Sequence, residues 1–298
     1  MIEFSKLTNK SYQEIAPYFK GLNYVFADYS LGYIYMYDEY VGYEYKIEND
    51  VLYIRFQNKD ATVYLTPICS VEKLDLALDN IIKWSNLHGG KTIIKSVPGE
   101  IVELVKSKTN CEVSQNAKWA DYVYDAKAFS ELKGKKYHAK RNYISRFNRL
   151  YGECNFEKIT DKNIEKVKFF FEKFKSGEDK NTKIFGMELK ATSLMLDTLG
   201  VIEVESECMI LNGEVIGFTF GEVVGNTFIA HIEKCDKSFD GVYETLTNHF
   251  AKYILQKYDG IQFINREDDA GDEGLKRAKL SYHPIKIAVK NDITIRHA

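Results

Sequence analysis

The chain has 298 residues, 45% hydrophobic and 28% charged, which excludes disorder and supports buried cores. Its length allows two domains of about 150 residues each. A net charge of -2 excludes a global field that would draw the chain to nucleic acid or membrane.

Five cysteines (Cys69, Cys111, Cys154, Cys208 and Cys235) are odd in number and form no Cys-x-x-Cys pair. That excludes a disulfide framework and a zinc site, and points to reduced thiols in the cytoplasm. Glu3, Lys6, Lys10, Glu14 and Lys20 interrupt any signal-peptide core. No apolar run approaches the roughly 20 residues that span a bilayer.

Taken in order, Thr8 to Lys20 reads as a short helix capped by Thr8 or Asn9. Tyr33, Tyr35 and Tyr37 alternate with Ile34 and Met36, which predicts a strand. This aromatic stretch forms either core or a stacking wall for a base. Val51 to Gln57 and Ala61 to Pro67 predict a hairpin. Val71 to His88 predicts a helix that Gly89-Gly90 stops. Lys91 to Val97 is a strand, Glu100 to Lys108 a helix, and Glu112 to Tyr124 another extended stretch.

Lys133 to Arg149 is a basic helix with Lys133, Lys135, Lys136, Lys140, Arg141, Arg146 and Arg149, plus His138, and no Asp or Glu. At 100° per residue, Tyr137, Tyr143, Ile144, Phe147, Leu150 and Tyr151 share one face. Lys136 and Lys140 fall on or beside it. An inward lysine is either paired with a carboxylate or aimed at a ligand. The helix is therefore either a solvated one with snorkelling lysines or a phosphate-binding element for tRNA, a coenzyme or an anionic lipid headgroup. Lys136, Lys140 and Arg141 are its candidate contacts. Asp161 to Lys175 and Gly186 to Leu199 are further helices. The polar Ser176 to Phe185 between them reads as a loop over the cleft, and Glu188 could face that cleft.

Asn212-Gly213 between apolar runs is a strong hairpin signal. A strand at Thr227 to Cys235, a helix at Gly241 to Tyr258 and a strand at Gly260 to Ile264 predict a parallel pair joined by a crossover helix. Ligands then sit beyond the carboxyl ends of those strands. Asn265, Arg266, Glu267, Asp268 and Asp269 occupy such an end. Glu267 and Asp268 are candidate general bases or ammonium holders, and Arg266 a candidate fork for phosphate or carboxylate. His231 and Glu233 flank Ile232 and are expected to face the same cleft.

The order hairpin, helix, strand, helix, strand occurs twice. The chain thus divides into 1–128 and 129–298, each an α/β unit of α+β character with a mixed twisted sheet flanked by helices. In the first copy, Ser96-Val97-Pro98-Gly99-Glu100 stands where the second has Asn265 to Asp272. The second copy is therefore the expected active one.

This arrangement resembles two tandem GNAT acyltransferase folds. The whole chain, and Asn265-Arg266-Glu267-Asp268 with Ala278-Lys279-Leu280-Ser281-Tyr282-His283-Pro284 in particular, resembles a bacterial paired-GNAT family related to the C-terminal domain of phosphatidylglycerol lysyltransferase. The resemblance implies transfer of an acyl or aminoacyl group to an amine or hydroxyl, on a small molecule or lipid headgroup. It implies acyl-CoA or aminoacyl-tRNA as donor, Tyr282 as general acid, and Gly241 at the diphosphate loop. Asp236 to Tyr243 keeps only that glycine of the usual loop pattern, and Asp240 adds negative charge, which fits aminoacyl-tRNA or another donor better than CoA. The alternatives are a catalytically silent module that binds tRNA or anionic lipid, and a conventional acyl-CoA N-acyltransferase.

Overall fold

The computed structural model describes residues 3–22, 24–177 and 183–296. The first half runs β1 (Ser5–Lys6), α1 (Asn9–Phe19), a 3-10 turn at Ala27–Tyr29 and α2 (Leu31–Val41). It continues with β2 (Glu44–Glu48), β3 (Val51–Asn58), β4 (Ala61–Leu65), α3 (Val71–His88), β5 (Lys91–Val97), α4 (Gly99–Lys108) and β6 (Cys111–Asp125). Two helices, α5 (Ala126–Glu131) and α6 (His138–Tyr151), lead to the second half. That half comprises β7 (Asn155–Lys158), α7 (Ile164–Gly177), α8 (Lys183–Asp197), β8 (Glu205–Leu211), β9 (Glu214–Val224) and β10 (Thr227–Cys235). It ends with α9 (Val242–Lys257), β11 (Phe263–Asn265), α10 (Glu273–Leu280) and β12 (Lys286–Ile295).

Local signals account for most of these elements. Thr8 and Ser11 form a reciprocal capping box at α1. Asn212 and Gly213 both take positive φ (51° and 85°), as the tight turn between β8 and β9 requires. The expected strand at Tyr33 to Tyr37 is instead α2. Alternation of large apolar residues does not separate the two periods when nearly every position is apolar, and the ends decide. The Ser30 hydroxyl caps the Tyr33 N–H, and Gly42 closes the helix in the left-handed region at φ 69°. Tyr33 and Tyr37 then meet across one turn, ring centroids 4.8 Å apart. The expected loop over the cleft falls at 178–182, outside the described residues. Its flanks, Ser176 and Phe185, belong to α7 and α8.

Among the described residues, twelve strands form one mixed sheet in the order β1-β2-β3-β4-β5-β12-β6-β11-β10-β9-β8-β7. The pairs β4/β5 and β10/β11 are parallel, joined through α3 and α9 as the crossover reading predicts. The last strand of each half lies inside the other half. β12 sits between β5 and β6, and β6 between β12 and β11. Because β5 and β11 then run in opposite directions, their carboxyl ends approach each other near the middle of the sheet. Val97 lies level with Asn291, while Asn265 and Lys286 both pair with Val123. Between those levels the β6/β12 ladder shifts register: Ala288 faces Asp121 and Lys290 faces Asn116, so residues 117–120 bulge out.

One apolar core runs under both halves, from Tyr29, Ile34 and Leu65 to Phe171, Phe218 and Ile232. Each fully buried side chain of this size contributes about 1.5–3 kcal/mol. No described helix is long and apolar enough to cross a membrane.

Candidate functional site

The convergence of β5 and β11 creates a cavity of about 170 Å³ lined by Asp28, Tyr33, Lys95, Ser96, Asn116, Trp119, Asp268, Lys290 and Asp292. Both halves supply its walls. Each strand end turns through a non-glycine residue in the left-handed region, Ser96 at φ 53° and Glu267 at φ 56°. Such positions persist only where neighbours over-determine them. Here Ser96 donates its hydroxyl to Asp28 (2.8 Å) and its N–H to Asp292 (3.0 Å). The Glu267 N–H donates to Asn265 Oδ1 (2.6 Å), and the Asn265 amide donates to Asp121 (2.9 Å) and to the Val25 carbonyl (2.5 Å).

Lys290 is buried between Asp28 (2.5 Å) and Asp121 (2.9 Å). Burial alone would lower its pKa, but the two carboxylates outweigh that and raise it. Burial likewise opposes ionisation of Asp28, yet Lys290 and Lys95 hold it down at about 2. Asp268 differs. No Lys or Arg among the described residues lies within ion-pair distance of it, and burial lifts its carboxyl to about 6. A carboxylate so placed is poised to take a proton near neutrality.

His231 lies against this site. Its Nδ1 pairs with Glu267 (2.7 Å) and its Nε2 with Glu222 (2.9 Å), which also accepts the Gly32 N–H (2.6 Å). Burial disfavours the imidazolium, but hydrogen bonds to Glu222 and Glu267 prevail and raise its pKa to about 9. Gly32 allows α2 to sit this close: an added Cβ would lie 2.6 Å from Glu222 Oε1 and 2.9 Å from His231 Nε2.

His231 and Glu233 do not share a cleft. A bulge between Ala230 and Ile232 puts His231 on the α2 side, while Glu233 binds Thr247 of α9 (2.7 Å) and Arg266 on the opposite side. Tyr282 is buried on that second side too, stacked on Phe129 at 4.8 Å, with Lys140 over its ring at 4.1 Å. It does not line the central cavity. Arg266 is held charged there: Glu233 and its neighbours outweigh the cost of burial.

The basic helix resolves residue by residue. Lys140 is inward and paired with Glu244 (3.0 Å). Arg141 donates to the carbonyls of Leu132 and Gly134. Arg146 pairs with Asp240 (2.8 Å), and Lys136 is exposed. Tyr143 and Leu150, expected inward, are exposed, whereas Tyr137 and Phe147 are buried. α6 crosses the start of α9, where Gly241 (φ 83°) touches it: a Cβ there would come 2.4 Å from the Tyr143 carbonyl oxygen. Backbone N–H groups of Asp236, Ser238, Phe239, Asp240 and Val242 donate to Ile216, Asp236, Asp236, Tyr151 and Phe239 respectively. Those five donors are used within the chain, and α6 packs over the glycine at the helix start.

Of the predicted residues Asp268 lines the central cavity, and Asn265 and Glu267 hold its loop with His231 behind them. Glu233, Arg266, Tyr282 and Lys140 form a second cluster across the sheet. Asp28, Lys95, Ser96, Asp121, Glu222 and Lys290 were missed. Asp121 before Tyr122-Val123-Tyr124, and Lys290 within Ile287 to Ile293, are charges inside apolar strands, a signal that could have found them. The first copy has not lost its polar end. It lends Asp28 and Ser96 to a shared site.

The family model described as phosphatidylglycerol lysyltransferase, C-terminal, matches residues 20–289. A crystal structure of a protein of unknown function from Bacteroides thetaiotaomicron is 26% identical, covers 99% of this chain and 100% of that one, and has a TM-score of 0.88. The structure of L-PGS from Bacillus licheniformis shares the fold at 12% identity, with 99% and 94% of the two chains covered and a TM-score of 0.71. An uncharacterised protein of Mycoplasmoides gallisepticum is 25% identical over 251 residues, 81% of this chain and 79% of that protein.

Proposed function

The chain belongs to the family of the phosphatidylglycerol lysyltransferase C-terminal region, and from that membership we propose that it transfers an acyl or aminoacyl group to an amine or hydroxyl in the central cavity. The observation that carries this reading is the cavity to which both halves contribute, with Asp268 facing it, outside ion-pair distance of any described Lys or Arg and with Lys290 only partly offsetting its burial. Fold alone would not suffice.

In this reading Asp268 takes the proton from the acceptor N–H or O–H. The acceptor forms a bond to the carbonyl carbon of the donor ester. The bond from that carbon to the leaving oxygen breaks, and the proton passes to that oxygen. A pKa of about 6 keeps Asp268 ionised at neutral pH and a competent base. The ion-paired His231 holds Glu267, and with it the loop that presents Asp268. Pockets for drug-sized ligands run to roughly 300–1,000 Å³, so about 170 Å³ suits one small acyl group with its carrier outside.

Aminoacyl-tRNA is the favoured donor, because α6 packs against Gly241 at the start of α9, where a CoA diphosphate would lie, and Asp240 adds negative charge there. Calorimetry and thermal shift with CoA, acetyl-CoA and bulk charged tRNA at low salt test this. Binding of charged tRNA but not CoA is expected. CoA binding would make the protein a conventional acyltransferase. tRNA binding with no transfer to any acceptor would make it a silent module.

A further inference from the structure

When an acceptor attacks an acyl group, the carbonyl oxygen gains negative charge, and a fixed hydrogen-bond donor at that oxygen speeds the step. Most polar groups lining the central cavity are committed elsewhere. Lys290 lies between Asp28 and Asp121, and the half-exposed Lys95 lies 4.0 Å from Asp28. Ser96 gives its hydroxyl to Asp28 and its N–H to Asp292. Asn116 and Trp119 belong to the irregular part of β6, among exposed Gln115, Ala117 and Lys118. Tyr33 of α2 differs. It lines the cavity, and its hydroxyl has no hydrogen-bond partner among the described residues. Burial, reinforced by Asp28, neighbouring tyrosines and Glu267, pushes that hydroxyl well above its ordinary pKa, so it stays a protonated donor. Helix α2 is also fixed to the loop that carries Asp268. The N–H of Gly32, one residue before Tyr33, donates to Glu222; Glu222 pairs with His231, and His231 pairs with Glu267 beside Asp268.

We propose that the Tyr33 hydroxyl is a catalytic donor to the carbonyl oxygen of the transferred group, supplied by the first half of the chain as Asp268 is by the second. The inference rests on the transfer reading and deepens it. Attack by the acceptor nitrogen or oxygen forms the new bond to carbon and moves the C=O π pair onto the carbonyl oxygen. The Tyr33 O–H hydrogen-bonds to that oxygen and keeps its own proton. When the bond to the leaving oxygen breaks, the pair returns and restores C=O, while the acceptor proton passes through Asp268 to the leaving oxygen. Nothing is oxidised or reduced. A neutral donor suits this cavity, because a cation there would pair with the Asp268 carboxylate and hold down its basicity. Tyr282, the tyrosine that the family resemblance implies, stacks on Phe129 across the sheet and does not line the cavity. An unpartnered buried hydroxyl also adds nothing to stability, which separates this role from a packing one.

Transfer of label from bulk charged tRNA to ethanolamine, which offers both an amine and a hydroxyl, and to phosphatidylglycerol vesicles tests it, with the urea midpoint measured on the same proteins. Y33F should lower kcat about 100-fold. KM should change little, because the bond is made to charge that develops only in the transition state. The urea midpoint of Y33F should stay at or slightly above that of the wild type. Y37F removes the hydroxyl of the ring packed on Tyr33 at 4.8 Å, which does not line the cavity, and should retain transfer. Transfer by Y33F at the wild-type rate overturns the proposal and leaves the transfer reading standing. Equal loss in Y37F, or loss of kcat together with the urea midpoint in Y33F, also overturns it and makes Tyr33 a packing residue. No transfer by the wild type to either acceptor would overturn the transfer reading and this inference with it.

Discussion

The carboxyl ends of β5 and β11 occupy equivalent positions in the two halves but carry different chemistry. After β11 come Arg266, Glu267, Asp268 and Asp269; Ser96 and Val97 at the end of β5 lead into Pro98 and Gly99. Judged separately, the second end reads as a site and the first as a plain turn. Exchange of the last strands removes that separation. β12 and β6 cross between the halves and bring both ends to one cavity, where Ser96 and Asp28 meet Asp268 and Lys290. A strand end that reads as a plain turn can still shape the chemistry of its partner, through Ser96 and the Asp28 it binds.

The strongest way to break this comparison is at the shared strut. Lys290 sits on the exchanged strand and neutralises Asp28 from the first half and Asp121 from the strand between. K290M would leave buried Asp121 without a cation and Asp28 with only the more distant Lys95 (4.0 Å), and should cost about 3–5 kcal/mol in urea denaturation. Trp84 fluorescence and far-UV circular dichroism should shift together, because β12, the last strand of the second half, pairs with β5 and β6 of the first. Separate transitions would mean that the halves unfold independently.

The second half's own charge network gives a pH signature. The His231 pKa is raised from 6.5 to about 9. Its contribution is therefore complete below about 6.5 and is lost as pH rises through 9. Its loss should remove about 2–3 kcal/mol, read as a falling urea midpoint that H231Q no longer shows. Asp268 should behave as the opposite of a structural acid. Its folded pKa is raised to about 6, so its contribution is full below the ordinary carboxylate range and declines as pH climbs through 6. D268N should then stabilise the fold by about 1–3 kcal/mol at pH 8 and change little at pH 4. A site kept for chemistry at a cost in stability predicts that sign.

Two glycines sharpen the contrast between a committed contact and an idle one. G32A drives a methyl group into Glu222 and His231 and should destabilise by about 1–3 kcal/mol. G186A in α8 meets nothing within 4 Å and should stabilise by about 0.5–1 kcal/mol through backbone entropy. Thermal or urea midpoints of the two variants test the pair.

Much of this architecture was legible because its signals are local. Caps, the Asn212-Gly213 turn, the two crossover helices and the polar run at Asn265 to Asp269 all announce themselves within a few residues. The strand exchange does not, since pairing of β6 with both β12 and β11 is settled by long-range packing. The bulge at Ala230–Ile232 was equally hidden, and it alone separates His231 from Glu233. The Tyr33 to Tyr37 helix was misread because alternation and helical spacing coincide in an all-apolar stretch. Lys140 was legible in kind: it is the inward lysine paired with a carboxylate, here Glu244.

If both halves build one transfer site, as proposed, a block on either wall of the cavity stops transfer. Label moved from charged tRNA to lipid or amine acceptors, compared among wild type, D268N and N116W, tests it most directly. Asn116 lines the cavity from β6 and Asp268 from the loop after β11. The account predicts transfer by the wild type and a loss of about 100-fold or more in each variant. Transfer that survives N116W at full rate would contradict it, because the cavity would then not be where the group is passed.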